Sequence, residues 1–105
     1  MANRKYDSRC PVARTLNVIG DRWAILILRD LFMHGAYRFQ DFERTLKGIT
    51  PAVLSQRLKE FEANGIIEAR RYEEHPPRYE YLLTQKGREL GPVLRAMKEW
   101  GSRYG

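Results

Sequence analysis

A single cysteine, Cys10, is the side chain of this sequence best suited to covalent chemistry. It precedes Pro11, a residue favoured at the first position of a helix, and Arg9 and Arg14 lie close along the chain. A helix N-terminus and neighbouring arginines both stabilise a thiolate and lower its pKa. A thiolate can form a sulfenic acid, an adduct or a disulfide, which here must join two chains. Cys10 is therefore a candidate redox sensor, although a half-buried structural cysteine would show the same pattern.

The other residues capable of chemistry form no recognisable catalytic or metal-binding pattern. The two histidines, His34 and His75, fall at a predicted helix end and at a predicted hairpin tip. No Ser-His-Asp, Cys-His or metal-ligand spacing is present, and no glycine-rich loop follows a predicted strand. One cysteine also excludes a cysteine-rich zinc site. We therefore expect no enzymatic activity, no metal and no cofactor.

The composition favours a single basic, globular domain that spans residues 1–105. The chain is 43% hydrophobic and carries a net charge of +6, which favours a polyanionic partner such as nucleic acid or an anionic membrane surface. The opening residues lack the apolar stretch of a signal peptide. The longest apolar run, Trp23 to Leu28, is too short to span a bilayer. We therefore expect a cytoplasmic protein without a membrane partner.

Helix start and stop signals predict three helices in the first half of the chain. The first covers residues 11–19, which follow a suitable cap and end at a glycine. Asp21 is placed to cap the second helix, "RWAILILRDLFM", which is apolar nearly all round and is predicted to be central and buried. A short third helix is predicted over residues 37–46, "YRFQDFERTL".

The fourth predicted helix, about residues 51–64, has the clearest signals. Thr50 can cap it, and Pro51 can open it. An Asn-Gly pair closes it. The predicted buried stripe, at helical spacing, is Leu54, Leu58 and Phe61.

A hairpin and a terminal helix follow. Two segments within about residues 66–84 flank a His-Pro-Pro tip, and the second alternates with period two, so they are predicted as paired strands. Thr84 can cap a final helical region, in which Pro92 starts or kinks a helix. This order is typical of a winged helix-turn-helix. The predicted class is α+β, mostly α, with a two-stranded wing.

The outward face of the fourth helix is small and polar. It carries Ala52, Gln56 and Lys59, with Ser55 at its edge and Arg57 beside the buried stripe. Glutamine can hydrogen-bond adenine, serine is short enough to let a helix approach, and lysine and arginine reach phosphates or guanine. This pattern favours a helix that lies in a DNA major groove, although any surface helix is polar on one side.

Further basic residues lie beside the third helix and on the hairpin. Wings commonly touch phosphates or the minor groove, where a basic residue is useful. Glu73 and Glu74 make this hairpin less basic than a pure phosphate clamp. The predicted DNA-contacting residues are Arg38, Thr50, Pro51, Ala52, Ser55, Gln56, Arg57, Lys59, His75 and Arg78.

Three separated segments resemble the HxlR-type transcriptional regulators. They are "CPVARTLNVIGDRWAILILRDLF", "YRFQDFERTLKGITPAVLSQRLKEFEANGIIEAR" and "PPRYEYLLTQKGRELGPVLRAMKEWG". The family comprises bacterial and archaeal winged-helix proteins that are related in fold to MarR regulators. The resemblance is collinear and covers nearly the whole chain, from Cys10 to Gly101.

The resemblance implies a regulator, such as a repressor, that binds a palindromic operator in double-stranded DNA as a homodimer. In that family the fourth helix is the recognition helix, and the first and C-terminal helices form the dimer contact. Those dimer helices would be residues 11–19 and 92–104 here. In part of the family a cysteine at the place of Cys10 senses oxidants, quinones or aldehydes. The implied interface residues are Val12, Leu16, Leu94, Met97, Trp100 and Tyr104.

Two alternatives remain open at the level of the sequence. The protein could be a repressor that responds to a small ligand without cysteine sensing, with a pocket between the first, second and C-terminal helices. It could also be a winged-helix module that binds proteins. DNA binding would be distinguished from protein binding by a steep loss of affinity as salt rises, because phosphate contacts release counterions.

Overall fold

The computed structural model describes residues 9–105, which form six helices and three strands. The expectation that the chain opens without a signal peptide rests largely on residues 1–8, which lie outside this range. In residues 9–105 no helix combines the length and the apolar character needed to cross a bilayer. In chain order the elements are α1 (Pro11–Ile19), α2 (Arg22–His34), β1 (Tyr37–Arg38), α3 (Phe39–Thr45), α4 (Pro51–Ala63), β2 (Ile67–Glu74), β3 (Pro77–Leu83), α5 (Gln85–Arg88) and α6 (Gly91–Tyr104).

The fold class predicted from the sequence is confirmed. The structure is mostly helical, and α3, α4 and the β2–β3 hairpin stand in the order of a winged helix-turn-helix. Pro92 lies in the first turn of α6, as predicted. The region capped by Thr84 is a separate short helix, α5, whose Gly87 amide donates to the Thr84 hydroxyl.

One element was predicted wrongly: the segment from residue 37 does not begin as a helix. Tyr37 and Arg38 form β1, which pairs with β3 and places Tyr37 opposite Tyr81. The Arg38 amide donates to a carboxylate oxygen of Asp41 at 2.9 Å, so Arg38 is the cap of α3 and the helix begins at Phe39. The sheet therefore has three antiparallel strands in the order β1-β3-β2, and not only the two strands of the wing.

The core lies between α2, α3, α4 and the inner face of the sheet. Ile27 and Leu28 of α2 are fully buried, which confirms that α2 is central. The predicted stripe of α4 is also buried. The remaining well-buried apolar residues include Leu31, Phe42, Leu46, Ile66 and Ile67.

A buried carboxylate links α2 to α3. Asp30 is 2% exposed. One of its oxygens accepts a hydrogen bond from the Thr45 hydroxyl at 2.6 Å, and the other accepts from the Arg29 guanidinium at 3.1 Å. Because buried charges are tolerated only when they are paired and hydrogen-bonded, these contacts fix the end of α3 against α2.

Asp21 links the start of α2 to α4. One oxygen of its carboxylate accepts from the amides of Trp23 and Ala24 at 2.8 and 3.0 Å, so Asp21 is the predicted N-cap. The other oxygen accepts from Nε of Arg57 on α4. Burial raises the pKa of Asp21, but the Ala24 amide and the Arg57 guanidinium outweigh that effect, and the pKa lies below its usual value. The ionised form therefore stabilises the fold.

We expect Asp21→Ala to lower the free energy of unfolding by about 1 kcal/mol or more, because the α2 cap and the Arg57 pair are both lost. Asp21→Asn keeps a capping oxygen but removes the charge, so its loss should be smaller. Since the folded pKa lies below the unfolded pKa, the advantage of Asp21 over asparagine is present above about pH 4 and disappears as the pH falls through the folded pKa. Chemical denaturation from pH 7 downward measures both effects. Equal stability of the Asn variant and wild type at pH 7 would contradict a stabilising ion pair.

Candidate nucleic-acid interface

The start of α4 is defined by a tight turn and a cap. The chain turns between α3 and α4 at Gly48, whose φ of +93° favours glycine. The Thr50 hydroxyl then accepts a hydrogen bond from the Val53 amide at 3.2 Å, and Pro51 is the first helical residue. Thr50 and Pro51 are exposed, so the amino end of α4 is accessible.

The outward face of α4 is arranged as the sequence pattern predicts. Ala52, Gln56 and Lys59 are exposed, and Ser55 is half-buried. Nε2 of Gln56 donates to a carboxylate oxygen of Glu60 at 3.3 Å, one turn further along the helix. This contact orients the Gln56 amide without burying it.

Arg57 lies on the flank of α4 and points toward α2. Its side chain is 20% exposed, and it forms an ion pair with Asp21 and a second, longer one of 3.6 Å with Glu60. Its positive charge is therefore paired with carboxylates of its own chain. The sequence alone did not reveal this role, because Asp21 is 36 residues away.

The arginines of the β2–β3 hairpin are all paired with carboxylates. Arg70 pairs with Glu80 across the strands at 2.6 Å. The other pairs are Arg78 with Glu73 at 3.2 Å and Arg71 with Glu74 at 3.9 Å. His75 is exposed at the tip. The carboxylates that make this hairpin less basic thus do so by forming ion pairs with its arginines.

Arg38, unlike the hairpin arginines, contacts an aromatic ring. It is exposed, and its Cζ atom lies 3.7 Å from the centroid of the Tyr72 ring on β2. The nearby Asp41 carboxylate is occupied by the Arg38 amide and by the Arg44 guanidinium. Burial raises the pKa of Asp41, whereas these two hydrogen bonds lower it by more, so that Asp41 stays ionised. The sequence pointed to Arg38 but gave no signal for its contact with Tyr72.

Apolar side chains of α1 and of α6 are left uncovered. Val12 and Leu16 of α1 are 70% and 42% exposed, and Trp100 and Tyr104 of α6 are 64% and 65% exposed. The two rings of α6 lie 5.4 Å apart. Met97 is also exposed, whereas Leu94 packs against the core.

Cys10 lies at the start of α1. It is exposed and free, and its backbone carbonyl accepts a hydrogen bond from the Arg14 amide at 2.9 Å. The thiol makes no capping hydrogen bond.

The model of the HxlR-like helix-turn-helix family matches residues 18–105. The chain belongs to the HxlR-like family. It is 41% identical over 95 residues to the HTH-type transcriptional regulator YdeP of Bacillus subtilis, covering 90% of this chain and 73% of that protein. It is 42% identical over 96 residues to an HTH-type transcriptional regulator of Methanothermobacter thermautotrophicus, covering 91% and 72%. The resemblance read from the sequence is confirmed, and these relatives are named as HTH-type transcriptional regulators.

Solved structures of other regulators share this fold. The redox regulator HypR in its oxidized form superimposes with a TM-score of 0.84 at 41% identity, covering 91% of this chain and 98% of that one. A MarR-family regulator from Enterococcus faecalis V583 superimposes with a TM-score of 0.79 at 32% identity, covering 99% and 94%. The relation in fold to MarR regulators is therefore confirmed as well.

Proposed function

We propose that this HxlR-like protein is a sequence-specific transcriptional regulator that binds a palindromic operator as a homodimer. The observation that carries the proposal is α4, the second helix of the helix-turn-helix, with an exposed, small and polar face above a fully buried stripe. In such motifs the second helix lies in the major groove and its amino-terminal residues contact base edges.

Each outward residue of α4 has a distinct proposed role. Gln56 reads a base edge, for which the adenine N6 and N7 atoms suit a glutamine amide. Ala52 and Ser55 allow close approach, and Lys59 binds phosphate or guanine. The amino end of α4, with Thr50 and Pro51, and the hairpin tip, with His75 and Arg78, supply further contacts to the DNA. Arg57 assists by holding the helix against Asp21.

The exposed apolar side chains of α1 and α6 support the proposed homodimer. Large exposed apolar areas on small domains commonly mark association sites. Aromatic residues and methionine are enriched at protein interfaces, and Met97, Trp100 and Tyr104 are all exposed on α6. A two-fold dimer through these side chains would place two α4 helices in successive major grooves about 34 Å apart.

Selection of bound sequences from random DNA tests operator recognition. We expect a palindromic sequence to emerge. Gln56→Ala should then reduce the preference for that sequence over random DNA, by about tenfold for each half-site, since each subunit loses one bidentate contact. Lys59→Gln is the matched comparison, since losing a phosphate contact weakens all sequences alike and flattens the salt dependence. Unchanged discrimination in the Gln56 variant would remove this residue from base reading.

Sedimentation velocity tests the homodimer. Trp100→Ala should shift the protein toward monomer, because a large exposed side chain at the proposed centre of the interface is lost. Lys98→Ala is the control, since this residue lies on the basic, opposite side of α6 with Arg95 and Ser102. A wild-type protein that is already monomeric at micromolar concentration would refute the assignment.

We further propose that Cys10 makes DNA binding responsive to oxidants or electrophiles. The thiol is exposed at the start of α1, next to the proposed dimer face, so its modification would alter the contact between subunits. The structural similarity to the redox regulator HypR supports this role. Two-electron oxidation would give a sulfenic acid or a disulfide between the Cys10 residues of two chains.

Cys10→Ser separates sensing from DNA binding. The variant should bind operator DNA as wild type does but lose the response to diamide or to an aldehyde. Non-reducing electrophoresis of the diamide-treated protein would reveal a disulfide-linked dimer if two Cys10 residues join. An equal response of DNA binding in both proteins would exclude Cys10 as the sensor.

A further inference from the structure

Tyr72 lies where the pairing of β2 with β3 shifts in register. In the pairing of β2 with β3, Arg71 lies opposite Tyr79 and Glu73 lies opposite Arg78, which leaves Tyr72 without a counterpart. Tyr72 is therefore the extra residue of a β-bulge. Bulges redirect a side chain, and they are common beside functional sites.

The Tyr72 ring contacts an arginine from the opposite edge of the sheet. Strands β1 and β2 are the two edges, with β3 between them. Arg38 of β1 and Arg70 of β2 both lie opposite Glu80 of β3, so these residues share one face of the sheet. The Arg38 guanidinium extends across this face to stack on the Tyr72 ring.

This face points away from the core. Tyr37 and Tyr81, which neighbour Arg38 and Glu80 along their strands, lie on the other face and contact Phe42, a fully buried residue. Adjacent residues of a strand point to opposite sides. The stacked Arg38 guanidinium is therefore presented on the outer face of the sheet.

Arg38 differs from the wing arginines in what it is paired with. Arg70, Arg71 and Arg78 each face a carboxylate. Within residues 9–105 the Arg38 guanidinium forms no ion pair; its charge helps to lower the pKa of the nearby Asp41, and it lies directly over an aromatic ring. An arginine stacked in this way keeps its donors available for the two oxygens of a phosphate.

The position of Arg38 suits a contact with the DNA backbone. It is the cap of α3, the first helix of the helix-turn-helix. In this motif the first helix crosses the phosphate backbone while the second lies in the groove. We infer that Tyr72 is a positioning residue that holds Arg38 for a backbone phosphate, which presupposes the DNA-binding role of α4 proposed above.

The wing then has a role beyond the contacts proposed for its tip. It supplies a ring that orients a cation from outside the hairpin, whereas its own arginines are paired with glutamates in the protein without DNA. Stacking restricts the Arg38 side chain before DNA arrives, which lowers the entropy lost on binding.

A double-mutant cycle on DNA binding tests the inference. The DNA is the sequence that wild type selects from random DNA, and its affinity is measured over a series of salt concentrations. Arg38→Gln should reduce the slope of log K against log salt by about 0.9 for each subunit of the bound dimer, since each subunit loses one phosphate contact. Tyr72→Leu should weaken binding about two- to fivefold for each subunit, in line with the strength of a cation–π contact. In the Arg38→Gln background Tyr72→Leu should have no further effect.

Two further variants make the outcome specific. Tyr72→Phe keeps the ring and should bind DNA as wild type does, whereas a loss equal to that of Tyr72→Leu would mean that the hydroxyl itself contacts DNA, which overturns a positioning role. Arg95→Gln removes one positive charge from the basic side of α6, away from α3 and α4, and should leave the salt slope nearly unchanged. Thermal denaturation of each variant shows whether it is folded.

The results also distinguish this inference from the proposed function. If wild type selects no sequence, the proposed function fails. If wild type selects an operator but Tyr72→Leu weakens binding by the same factor with and without Arg38, the positioning role fails and the proposed function stands. An unchanged salt slope in Arg38→Gln would likewise remove Arg38 from the phosphate contacts.

Discussion

The outer face of α4 can be left uncovered because its inner face is completely buried. Leu54, Leu58 and Phe61 are each 2% exposed or less, which fixes the rotation of the helix about its own axis. The Asp21–Arg57 pair adds a contact at the flank and connects α4 to the first turn of α2. Helix rotation decides which side chains a DNA groove would meet. The surface proposed to read bases is therefore set by the core beneath it.

The amphipathic helices of this protein divide into two kinds. The apolar stripe of α4 is covered by its own chain, whereas much of the stripes of α1 and α6 is not. A domain of this size has a large surface relative to its volume, and it can bury only part of its apolar area alone. The chain therefore leaves apolar side chains uncovered on α1 and α6 and a polar face uncovered on α4. The two surfaces suit two different partners.

Local signals in the sequence predicted the helix caps of this fold correctly, whereas contacts between residues far apart in the chain could not be predicted. The caps Asp21 and Thr50 were predicted correctly because a cap depends on the next three residues. The strand Tyr37–Arg38 was missed because two residues become a strand only through pairing with β3, more than 40 positions later. The same limit concealed the Arg57 contact with Asp21 and the Arg38 contact with Tyr72. A polar face predicts that a helix is at the surface, but the partner of each charge depends on the whole fold.

The sparse burial of α1 has a consequence for how the protein would behave in a cell. Within its own chain this nine-residue helix buries only Ile19, and isolated helices of that length are marginal in water. If a second copy covers α1, as proposed, the order of this helix depends on how many copies of the protein are present. The segment that begins at Cys10 would then be firmly structured only when the regulator is abundant. Gene dosage would thus influence both DNA occupancy and the accessibility of the thiol.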